Sequence, residues 1–214
     1  MTSDSRRLLP WAGGGLELDN GPDTLWAVVL GAVLATLGGF VATRLEAFFR
    51  RRERERAAAL LFGELLSVVQ LSATLADESR GRGDPYGPLT IRMLRAIRRE
   101  TEIYDRNRES LYDLRDGAVR AQVHALMAQI TLALQGVLDA DDQLGQMEDA
   151  VRGRPADDPV REELTARGVR VVEHRQQAFD FMVELAGQVA PITTTLRRLA
   201  RQPFGDHATI VRNG

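Results

Sequence analysis

The chain has 214 residues, 44% of them hydrophobic and 27% charged, with a formal net charge of −2 and no cysteine. That length holds one ordinary domain and an additional segment, and the missing thiols exclude a disulfide-stapled module and any thiolate metal site. Near-neutral charge and 6% aromatic content argue against a nucleic-acid partner, which calls for a basic surface or a stacking platform.

Residues 1–23 form a short leading segment, expected to be flexible. It carries Arg6 and Arg7 against Asp4, Glu17, Asp19 and Asp23, and ends in the breaker Asn20-Gly21-Pro22. The string Ser5-Arg6-Arg7-Leu8-Leu9 is a faint match to a twin-arginine export signal. Glu17 and Asp19 separate it from the apolar region that should follow promptly, which counts against export.

Residues 24–43, TLWAVVLGAVLATLGGFVAT, hold no charge. At about 1.5 Å rise per residue they cover roughly 30 Å, the hydrocarbon thickness of a bilayer, and no other stretch is expected to rival them. Trp26 lies near one end, where an indole favours the headgroup region, and Phe48 and Phe49 lie past the other. The run begins late and leads into arginines instead of a small-x-small cleavage site, so a transmembrane helix is preferred over a signal peptide. Arg44, Arg50, Arg51, Arg52, Arg54 and Arg56 follow, against Glu46, Glu53 and Glu55. Arginine placement predicts a cytoplasmic C-terminal side in a bacterial-type inner membrane, with the N-terminus outside. These six arginines are the candidate membrane-surface basic residues. Ala27, Gly31, Ala35 and Gly39 recur every fourth residue, a stripe along which two helix backbones can approach in lipid. They are the candidate packing face for self-association or a membrane-protein partner.

Residues 44–202 are expected to be a cytoplasmic bundle. The span continues as one helix to about Ala76, with Leu61, Leu65, Val68, Ser72 and Leu75 as its buried stripe. The loop SRGRGDPYGP follows. A second helix starts near Pro88, with an imperfect inward stripe of Ile91, Leu94, Ile97 or Arg98, and Ile103, with Tyr104 and Tyr112 at the core edge, and a short piece packing Leu111 and Leu114. The third runs from Val119 to Val151. Asp158-Pro159, a capping residue before proline, opens a fourth that reaches about Arg201 and is kinked at Pro191. Its seam is Met182, Leu185, Val189, Ile192, Leu196 and Leu199, at the three-four spacing of a coiled coil. Residues 203–214 form an expected flexible tail.

The fold class expected is therefore all-α: one N-terminal transmembrane helix continuing into a cytoplasmic antiparallel four-helix bundle. The short turns would bring Arg106, Arg108, Arg115, Arg120, Arg197, Arg198 and Arg201 back to the arginine-rich end, leaving Asp139, Asp141, Asp142, Glu148, Asp149, Asp157 and Asp158 at the far tip. No phosphate loop, nucleophile elbow or HExxH is present, and His124, His174 and His207 are isolated. No enzyme, cofactor or metal is expected. The role expected is a membrane-anchored scaffold, adaptor or signal relay that oligomerises and works by helix–helix contacts, with an accessory subunit of a transporter or channel as the alternative.

Overall fold

In a computed structural model, residues 22–83, 85–155 and 157–204 are described. The expectations for residues 1–21 and 205–214 lie outside them. The described chain is helical, with no strand among its residues. The elements are α1 (Pro22–Arg80), α2 (Pro88–Asn107), a 3-10 helix (Arg108–Asp113), α3 (Gly117–Val151), α4 (Pro159–Gly187) and α5 (Val189–Ala200). The chain divides into two compact units, Met1–Phe48 and Phe49–Gly214.

In the first unit the described chain is helix only. In the second, one apolar core gathers α1 from Ala58 onward with α2, the 3-10 helix, α3, α4 and α5. Phe62, Leu66, Leu94, Ile97, Leu114, Met127, Ile130, Leu134, Phe179, Met182, Leu185 and Leu196 are its largest fully buried side chains. Burying each such side chain contributes about 1.5–3 kcal/mol.

Local signals explain the boundaries. Asp116 caps α3, its carboxylate accepting from the Ala118 and Val119 amides. Asp158 caps α4 by accepting from the Val160 amide, with proline in the first turn as expected. The amide of Val160, then Arg154, holds the Asp158 carboxyl below its usual range. The fourth expected helix is two. Pro191 lacks an N–H and its ring crowds the carbonyl four residues back, that of Gly187, so α4 ends there. The Gln188 amide closes the end on the Leu185 carbonyl at 2.9 Å, and α5 restarts at Val189.

Three expectations are corrected. Leu65 and Ser72 are buried as expected, but the stripe of α1 is completed by Ala58, Ala59, Phe62, Leu66, Val69, Ala73 and Ala76, while Leu61, Val68 and Leu75 are half-buried. Residues 57–76 are apolar almost all round, so spacing alone leaves the centre of the stripe undetermined. Tyr112 is 78% exposed, not at the core edge, because Leu111 and Leu114 on either side take the inward positions of the 3-10 helix. Phe204, placed in the expected tail, is buried. It reaches α1 after Arg201, whose left-handed backbone (φ 56°) turns the chain out of α5. Its ring occupies the notch at Gly63, where a β-carbon would overlap it, and Arg197 stacks on the ring at 5.4 Å.

Adding that β-carbon tests the notch. Gly63→Ala should lower stability by about 1–3 kcal/mol, as overpacking does. In a double-mutant cycle of thermal unfolding, the penalty should shrink when Phe204 is already alanine.

Candidate functional site

Between Trp26 and Phe49, twelve large apolar side chains are each at least 46% exposed. No residue of the apolar window near the N-terminus is buried. The only polar side chains inside it are made inert locally. The Thr36 hydroxyl donates to the Ala32 carbonyl at 2.8 Å and that of Thr43 to the Gly39 carbonyl at 2.9 Å. Such back-bonding satisfies a hydroxyl without water. Ala27 and Ala35 are exposed, and a β-carbon at Gly31 or Gly39 would meet nothing within 4 Å. All four candidate packing residues therefore lie open. The helix is of the kind that spans a bilayer or serves as a signal sequence.

It is not alone in passing that test. Gly117–Val151 is also long and apolar enough, correcting the expectation that no other stretch rivals residues 24–43. The run from Ala121 to Leu138 contains no Asp, Glu, Lys or Arg. The difference lies in burial. Val123, Leu126, Met127, Ile130, Leu134 and Val137 of α3 are in the core, as in a helix packed among others.

Of the candidate basic residues, Arg44 lies over the Phe40 ring at 5.1 Å. Arg50 to Arg56 open the second unit. Here the turn between α2 and α3 comes back beside them: Arg54 is 3.9 Å from Asp113, and Arg115 is 3.4 Å from Glu55, whose other oxygen accepts from the Arg115 amide at 3.2 Å. The Nε of Arg56 is buried without a partner.

At the α1–α2 turn a second polar group was not legible from the sequence. The Arg80 guanidinium donates to Asp180 at 2.6 Å and to Asp77 at 3.0 Å while lying 4.4 Å from the Phe179 ring centre. Arg175 covers the Tyr86 ring at 3.8 Å and donates to Asp141 at 2.8 Å. The Tyr86 hydroxyl donates to Gln176 at 2.9 Å, and burial pushes that phenol above its usual value. Residues from α1, the α1–α2 loop, α3 and α4 thus interlock. The chemistry is a fastening of charges and rings, with no nucleophile beside a base.

The structure also places the isolated histidines that are described. His124 is exposed, its Nδ1 2.7 Å from the Tyr104 hydroxyl. His174 lines an outer groove of about 560 Å³ between α3 and α4, with Leu132, Gly136, Ala178 and Phe181. Leu132 and Phe181 were missed because the inward seams on the same helices account for the periodic signal. Among the described residues no group of His, Cys, Asp and Glu is arranged to hold a metal.

With this geometry in hand, the chain was compared with protein-family models, curated proteins and solved structures. None matches.

The Arg80 fastening predicts a pH dependence. Its hydrogen bond outweighs the opposing effect of burial and, helped by that of Gln176, holds the Asp180 carboxyl below the usual range. A depressed carboxyl stabilises the fold above its unfolded value, about 3.9, and that contribution is lost as pH falls through the lower folded value. The thermal midpoint of the wild type should exceed that of Asp180→Asn at neutral pH. The gap should close below about pH 4.

Proposed function

We propose that the chain is a single-pass inner-membrane protein. Its non-enzymatic helical domain acts on the cytoplasmic side as a scaffold, adaptor or signal relay. The observation that carries this reading is the apolar helix from Trp26 to Leu45, whose large side chains are each 48% to 71% exposed among the described residues. Water would leave each of those side chains without the burial worth about 1.5–3 kcal/mol; lipid removes the penalty. Arginines follow the helix and are scarce before it, which favours the C-terminal side facing the cytoplasm.

The domain is an up-down bundle of four helical rods, α4 and α5 forming one broken rod. Three pairings support that order: Arg115 with Glu55, Arg80 with Asp180, and Phe204 with Gly63. They return the α2–α3 turn to the start of the domain, bring α4 to the end of α1, and carry the end of α5 back along α1. The basic end of the bundle then follows the span directly in the chain. Each arginine near an anionic leaflet gains on the order of 1 kcal/mol. Recruitment to the membrane is the mechanism, and contact through Ala27, Gly31, Ala35 and Gly39 sets the oligomeric state. The openness of that stripe also suits a second reading, in which it packs against a larger transporter or channel as an accessory subunit.

Fractionation tests the anchoring. The full chain should stay in the membrane pellet through alkaline carbonate and high salt, whereas deletion of residues 24–43 should release it. A reporter fused after Gly214 should be active only in a cytoplasmic format; periplasmic activity overturns the orientation. Gly31→Leu should lower the signal of a membrane two-hybrid assay at unchanged expression. Co-purification of a stoichiometric polytopic partner in mild detergent would select the accessory-subunit reading.

A further inference from the structure

The corrected position of Tyr112 has a consequence for the basic end of the domain. Leu111 and Leu114 are buried, so they pin the 3-10 helix and hold Tyr112 outward at 78% exposure. The helix sits beside the Arg50–Arg56 stretch through Arg54–Asp113 at 3.9 Å and Arg115–Glu55 at 3.4 Å. Those pairs neutralise Asp113 and Glu55, two carboxylates that would repel an anion. Asp116 is directed to the amides at the start of α3. Arg51, Arg52 and Arg108 make no ion pair or hydrogen bond among the described residues. Against them stand the exposed carboxylates Glu53 and Glu109. An outward tyrosine on the element that meets the Arg50–Arg56 stretch has the chemistry of a membrane–water interface, where the ring meets the headgroup layer and arginine meets phosphate.

We infer that the 3-10 helix Arg108–Asp113 is a second lipid-contacting element, which seats Tyr112 among anionic headgroups with Arg51, Arg52 and Arg108 binding their phosphates. This rests on the anchoring proposed above and adds a surface that the sequence had assigned to the core. The reach of such charges is short, about 8 Å at physiological salt, so only lipids that touch this surface are bound.

Because the chain has no cysteine, single nitroxide labels can be introduced into the full-length protein. Tyr112→Cys, Asp149→Cys and Leu34→Cys would be labelled separately and reconstituted in nanodiscs of phosphatidylcholine with and without phosphatidylserine. Collision rates with lipid-soluble oxygen and with a water-soluble nickel chelate locate each label. The 112 label should prefer oxygen severalfold over the 149 label in serine-lipid discs. The preference should fall in neutral discs and in the R51Q/R52Q/R108Q background. A label at Glu109→Cys, which keeps the tyrosine, should lose oxygen contact when Tyr112→Ala is added. A 112 label as water-exposed as 149, beside a lipid-exposed 34 label, overturns this inference alone, and so does indifference to lipid charge. A water-exposed 34 label overturns the anchoring and this surface with it.

Discussion

One helix meets two environments, and the rest of the molecule follows from that change. From Trp26 to Leu45 the side chains of α1 are exposed. From Ala58 onward the same helix contributes Phe62, Leu66 and Val69 to a dry core. Both stretches are strongly apolar, but their surfaces are disposed of differently. The first shows apolar side chains all round and satisfies its threonines on its own backbone. The second keeps Glu64 and Thr74 exposed and buries the opposite side. The arginines between Arg44 and Arg56 mark the transition. Guanidinium groups cannot enter hydrocarbon cheaply and need not enter a core.

The second unit is closed by apolar packing and fastened by a few directed interactions. Around the α1–α2 turn, Arg80 and Arg175 each combine a carboxylate with an aromatic face. Arginine suits this use because its planar group stacks and donates at once. These contacts join residues remote in sequence and set which helix ends meet. Elsewhere small residues set distance. Gly63 admits the Phe204 ring. The conformational freedom of glycine does not matter at this position; the absent β-carbon does.

Surfaces left over from this packing are where interaction is to be sought. The apolar stripe at Ala27, Gly31, Ala35 and Gly39 is open, as is the groove holding Leu132 and Phe181. The basic end is partly neutralised by Asp113 and Glu55, while Arg51, Arg52 and Arg108 make no ion pair among the described residues.

Local patterns carried much of the fold. Hydropathy marked the uncovered helix, capping chemistry marked the starts of α3 and α4, and Pro191 marked a disruption, since each acts within a few residues of itself. The break at Gly187 follows from the position of Pro191, although the sequence reading placed a kink there and not a new helix. What sequence left open was every choice among apolar positions of similar kind. It could not centre the stripe of α1, tell the buried Tyr104 from the exposed Tyr112, or see that Phe204 fills the notch at Gly63. Nor did it separate α3 from a membrane span, because length and composition are alike for a lipid-facing helix and a core helix. Only neighbouring helices distinguish them: burial is a property of what stands opposite a side chain, and that is decided by residues far away along the chain.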